Sequence, residues 1–224
     1  MKRFARVVSC VAVCLLFVSA RGQAQTQDPS DTSRFYVEFT GGATLGHKSS
    51  GSVGGEIGYQ VTGPYFVFFE GGHMANVGTT DLDARAKTIG DAVGATASAS
   101  LKINYFDAGI RYNPKVMLSV LHPYLALGFG AAAVKVQTSL AVNGTVVPPE
   151  SLGVQFGSDL NGTTTKGFMM IGGGVNYPFA KRYFVDGSIR YGRVFARTSA
   201  IENDTGINTL RVQFGLGVRL WDRP

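Results

Sequence analysis

Nine charged residues carry the most chemistry in this chain: Glu38, Glu56, Glu70, Asp107 and Asp186, with Arg111, Arg190, Arg211 and Arg219. Most stand in segments where apolar residues alternate with polar or glycine ones. A strand turns successive side chains to opposite faces, so these charges fall opposite their segment's apolar row. Five carboxylates against four guanidinium groups can nearly neutralise one another. Paired, they make a structural core; left open, they line an ion or proton path.

Covalent and metal chemistry have less to work with. The three histidines, His47, His73 and His122, are far apart in sequence, with no HExxH motif and no close pair to begin a zinc set. His47 has Ser49 two residues on, but in a glycine-serine loop, and His122 precedes Pro123 in a turn. No GxSxG or phosphate-loop motif occurs, so the chain is expected to bind no metal or cofactor and to be no enzyme.

The element that must position these charges is clearest at the end of the chain. Leu210, Val212, Phe214, Leu216, Val218 and Leu220 form one face, and Arg211, Gln213, Gly215, Gly217 and Arg219 the other. A long strand with lipid outside and a crowded polar lumen inside needs that pattern. Period-2 segments recur at 34–46, 52–62, 65–75, 100–112, 123–136, 166–177, 183–195 and 207–221. Both faces of the third are aromatic. Its Glu70 is placed inward because a carboxylate in lipid is costly.

Two kinds of connection alternate. Those after the second, fourth and sixth segments are short and carry proline; those after the third and fifth, 76–99 and 137–165, are long. The first long loop predicts a helix from Leu82, Ala86, Ile89 and Val93, capped by Thr80 or Asp81. The second contains Asn143-Gly144, a hairpin signal. At the short-turn end every segment offers an aromatic residue: Phe35, Tyr59, Tyr65, Tyr112, Tyr124, Tyr177, Tyr183 and Trp221. Tyr and Trp suit a membrane interface, where the ring is buried and its tip stays wet. These segments predict an all-β fold, an eight-stranded antiparallel up-and-down transmembrane β-barrel with a short helix in one extended loop.

The N-terminus reads as an export signal. Met1-Lys2-Arg3-Phe4-Ala5-Arg6 is basic, an apolar run spans Val7 to Ala20, and Gly22-Gln23-Ala24 is a small-residue cleavage site. The expected domains are a signal peptide over 1–24, a polar disordered lead-in over 25–33, a barrel over 34–221 and a short tail over 222–224. Both cysteines, Cys10 and Cys14, leave with the signal, which removes disulfides and thiol chemistry. Four of the 21 basic residues leave and none of the 15 acidic ones, so the net charge falls from +6 to +2. Nucleic-acid binding thereby loses its compositional support.

Signal, eight segments, alternating turns and loops, and the terminal strand Leu210–Trp221 together resemble the small OmpA/OmpX-like outer-membrane barrels of Gram-negative bacteria. The resemblance covers nearly all of the mature chain and is one of pattern, without a local motif. It implies a cell outer-membrane location and contact with outer-membrane lipids, lipopolysaccharide and, during insertion, the barrel-assembly machinery. Such proteins usually end on an aromatic residue, whereas here Asp222-Arg223-Pro224 follows Trp221. Some barrels of this kind deacylate lipid A with a His and a Ser two apart on a strand. The nearest match, His73-Met74-Ala75-Asn76, has alanine at the nucleophile position.

The leading expectation is a monomeric, non-enzymatic scaffold with a plugged, ion-paired lumen. Any extracellular ligand would meet loops 76–99 and 137–165. A small porin-like channel is the alternative, and a lipid-modifying enzyme ranks last.

Overall fold

The computed structural model describes residues 33–46, 48–114, 120–157, 160–195 and 206–222. The expected signal peptide, nearly all of the lead-in, His47 and the last two residues lie outside them. Among the described residues nine strands form: β1 (Ser33–Leu45), β2 (Ser50–Thr62), β3 (Tyr65–Met74), β4 (Thr96–Tyr112), β5 (His122–Val142), β6 (Thr145–Val147), β7 (Gly162–Pro178), β8 (Tyr183–Val194) and β9 (Ile207–Asp222). An α-helix, α1 (Thr80–Ala92), joins β3 to β4, and a short 3-10 turn covers Pro149–Leu152. Among the described residues no helix is long and apolar enough to cross a membrane.

The sheet runs β4-β3-β2-β1-β9-β8-β7-β5, and pairing of β4 with β5 closes it. Eight strands therefore make a closed antiparallel barrel, with β6 as a short return hairpin on β5. The terminal strand meets the first, with Val37 opposite Val218 and Phe39 opposite Leu216. Closure satisfies every wall strand on both sides, as a sheet in lipid requires. Asn143 (φ 49°) and Gly144 (φ 81°) build the left-handed two-residue turn between β5 and β6.

The alternation sorts the faces. Phe39, Val53, Phe69, Ile110, Phe129, Ile171, Ile189 and Phe214 are exposed on the outside of the wall. The charged and glycine positions turn inward. Glycine is needed there: a Cβ at Gly215 would fall on the Glu38 carboxylate, and one at Gly58 on the Tyr36 ring.

Three strands run four or more residues further than their periodicity predicts, all at the loop end: β4 begins at Thr96, β5 runs to Val142 and β7 begins at Gly162. Approaching and along these extensions the polarity inverts. Lys102, Lys135 and Ser139 face out, while Leu101, Ile103, Val134 and Leu140 are buried within. Wall standing in water must be polar outside and apolar inside, the reverse of wall standing in lipid.

Helix α1 closes over this apolar zone. Leu82 and Ala86 are buried in one cluster with Met74, Leu101, Ile103, Val136 and Leu160, and Ile89 and Phe156 pack against it. The cap is Thr79, whose hydroxyl accepts from the Leu82 N–H at 3.3 Å, one residue before the expected Thr80. Lys48 fixes the helix to its surroundings, donating to Asp83 Oδ1 (2.6 Å) and to the Ala99 carbonyl (2.9 Å). The two long loops thus contribute side chains to the core as well as surface.

Candidate functional site

Register places four carboxylates in one row across four consecutive strands. Glu38 stands opposite Glu56, Glu56 opposite Glu70, and Glu70 opposite Asp107. All four are at most 2% exposed. Three arginines reach this row: Arg111 from β4, and Arg190 and Arg211, which are direct partners on β8 and β9.

Glu70 is the most heavily engaged acid. Its Oε2 lies 2.6 Å from Arg190 Nη1, and its Oε1 lies 2.9 Å from Arg211 Nη1 and accepts from the Tyr105 hydroxyl at 2.8 Å. Arg211 also donates to that hydroxyl and stacks over the Tyr105 ring. Glu56 joins the two halves: Oε2 is 2.8 Å from Arg190 Nη1, while Oε1 is 3.1 Å from Arg111 Nη1 and accepts from the Tyr36 hydroxyl at 2.5 Å.

Arg111 extends the network towards the short turns. Its Nη2 donates to Asn176 Oδ1 (2.5 Å), and Asn176 Nδ2 donates to Asp186 Oδ2 (2.6 Å). The Arg111 guanidinium also lies 3.4 Å from the centre of the Tyr124 ring, whose hydroxyl donates to Asp186 Oδ1 at 3.0 Å. Two acids are left on weak terms. Glu38 has Arg111 at 3.9 Å and no hydrogen bond, and both Asp107 oxygens are buried without one. Arg219 is half-buried nearer the short turns, 5.5 Å over the Phe184 ring.

Of the nine charges named from sequence, seven meet within this connected arrangement. Asp107 joins the carboxylate row without a bonded partner, and Arg219 lies over the Phe184 ring. Tyr36, Tyr105, Tyr124 and Asn176 belong to the network and were not among them. Parity could have found them: Tyr105 shares the face of Asp107 on β4, and Tyr124 that of Gly128 on β5.

Tyr124 is also a correction to the aromatic girdle. It is 2% exposed and points into the lumen, because it keeps parity with the inward Ala126 and Gly128 while Leu125 and Leu127 face out. Its place at the end of a strand suggested an interface ring; its parity forbids one. Tyr59, Tyr65, Tyr112, Tyr177 and Tyr183 are exposed on the outer wall at the short-turn end, and Phe35 is half-buried. The Trp221 side chain lies outside the described residues.

The arrangement can hold charge in place but offers little else. His73 lies on the outer wall, its Nδ1 2.7 Å from Asn104 Oδ1, away from the lumen. Among the described residues no group of three or more His, Cys, Asp or Glu is arranged to hold a metal ion. The model of the outer membrane protein beta-barrel domain matches residues 10–219.

The chain belongs to the outer membrane protein beta-barrel family. Among proteins of curated function none matches it. Solved barrels of the outer membrane do. Neisserial surface protein A is 14% identical, with 83% of this chain and 97% of that one covered at a TM-score of 0.52. A major outer membrane protein from Thermus thermophilus is also 14% identical, with 84% and 99% covered at 0.50. OprG from Pseudomonas aeruginosa is 10% identical, with 87% and 100% covered at 0.49. At such identities the likeness is one of fold. Membership of an outer membrane protein beta-barrel family indicates an outer-membrane location, and the exposed apolar belt is the surface that location requires. The family's fold does not by itself decide between scaffold, adhesin, channel and enzyme.

Proposed function

We propose that this outer-membrane barrel is a non-enzymatic scaffold, exported with the leader 1–24 and inserted as a monomer over 34–221. Its lumen is closed by its own side chains, and its loop end faces outward to meet partners. The reading rests on one observation: Arg190, with a side chain 1% exposed, ties Glu56 and Glu70 together across the lumen at 2.8 and 2.6 Å. An eight-stranded barrel is just wide enough for such a set to fill it. The apolar cluster under α1 adds a second obstruction above the first. Extracellular recognition then falls to what the loops leave exposed, including Val146 at 71% and the outer side of α1.

A small ion channel is the second reading, favoured by the unbonded carboxylates of Glu38 and Asp107. The enzyme reading keeps last place, since Ala75 stands where a hydrolytic nucleophile would be needed and His73 is engaged with Asn104. Single-channel recording in planar bilayers tests the proposal: a closed scaffold gives no sustained steps, whereas a channel does.

A further inference from the structure

The outer wall carries an unbalanced cationic site where the lipid-facing belt gives way to polar wall. Lys102 on β4 and Lys135 on β5 stand directly opposite each other, both exposed and outward. Neither has a hydrogen-bond or ion-pair partner among the described residues. Like charges directly opposite on a sheet repel. The wall acids Glu38, Glu56, Glu70, Asp107 and Asp186 do not relieve them, since all five are buried inside.

The surroundings are graded by height. Beside Lys135 stands Thr163, and one step towards the membrane Asn104, Ala133 and Thr165 follow in register. Ala131 and Gly167 then pair, in one row with Phe106 of β4 and with the Phe195 ring beside Gly167. Phe106 in this row, and Phe129 and Ile171 below it, are 53–58% exposed on the lipid face. A ligand fitting this order has anionic groups at the top, polar hydroxyls and amides in the middle, and hydrocarbon chains below.

We propose that the Lys102–Lys135 pair, with Thr163, Thr165 and Asn104, binds the phosphorylated sugar headgroup of an outer-leaflet glycolipid whose acyl chains lie along Phe106 and Phe129. Phosphate between the two ammonium groups removes their repulsion, and the hydroxyl and amide side chains face the sugar. A free phosphate would use only the top of the site. The proposal rests on the outward orientation of the loop end given under Proposed function.

The test uses the full mature protein refolded in phosphatidylcholine nanodiscs, with retained lipid counted by native mass spectrometry. The probes are doubly phosphorylated lipid A, dephosphorylated lipid A, phosphatidylglycerol and inorganic pyrophosphate. Wild-type protein should prefer doubly phosphorylated lipid A, with affinity falling as salt rises. Lys102→Gln with Lys135→Gln should weaken it about thirtyfold, roughly fivefold for each lysine, and Lys181→Gln at the opposite end should change nothing. Equal binding by the double variant overturns the site. Equal competition by pyrophosphate, or equal retention of phosphatidylglycerol, overturns the glycolipid assignment. Folding is read on the same samples by heat-modifiable gel migration. A wild-type protein that shows no shift overturns the barrel reading and the site with it, whereas a shifted barrel without lipid preference overturns the site alone.

Discussion

Arg190 and Arg211 stand directly opposite each other on β8 and β9, and both guanidinium groups end on Glu70, one on each carboxylate oxygen. Two like charges in a dry interior are tolerable only with a shared counter-ion. Glu70 should therefore be the costliest acid to neutralise. Glu70→Gln is expected to lose about 3–5 kcal/mol in urea unfolding from lipid vesicles. Asp107→Asn should stay within about 1 kcal/mol of wild type or gain stability, because Asp107 accepts no hydrogen bond and faces the like charge of Glu70. Equal losses for the two variants would contradict the network as described.

The two faces of β9 should respond differently. Arg211→Leu leaves Glu70 with one arginine, Arg190, and the Tyr105 hydroxyl, whereas Leu216→Ala trims a side chain 55% exposed on the lipid side. The first variant is expected to exceed the second by at least about 2 kcal/mol in the same unfolding assay. Exchanging the charges, Arg211→Glu with Glu70→Arg, is not expected to rescue, because the new arginine would meet Arg190.

How much of this was legible follows from parity. Glu38, Glu56, Asp107, Asp186, Arg190 and Arg211 could be assigned inward from their apolar neighbours, and the structure buries all of them. Their partners could not. Arg190 meets Glu56 and Glu70 across the lumen, and which residues meet there depends on the stagger of the closed sheet, which strand order alone does not supply. The apolar zone was hidden for another reason. Leu101 and Ile103 share parity with Tyr105 and Asp107, so one strand face changes from charged to apolar as it leaves the membrane. Reading each strand with one rule for its whole length misses that reversal.

Tyr124 gives a direct check on its corrected position. Tyr124→Phe keeps the ring under Arg111 but removes the hydroxyl that donates to Asp186. About 1–1.5 kcal/mol should be lost. Tyr183→Phe, on the exposed outer wall, should cost less than half of that. A reversed order would return Tyr124 to the girdle.

The loops should prove less dispensable than surface loops usually are. Leu82 and Ala86 of α1 and Leu160 of the second loop share a cluster with Met74 and Ile103 of the wall. Leu82→Ala is expected to cost about 2–5 kcal/mol, and replacing residues 79–93 by a flexible linker should expose β4 to limited proteolysis. Unchanged stability and protease resistance would reduce α1 to a passive surface element.

The central claim is a lumen closed by its own charges, and conductance tests it most directly. Wild-type protein in planar bilayers should give no sustained single-channel steps. The paired variant Glu70→Ala with Arg190→Ala, with the α1 segment replaced by a linker, should open to small, frequent ones. Stable steps from the wild-type protein, undiminished across voltages and unaltered in that variant, would contradict a plugged barrel and favour the channel.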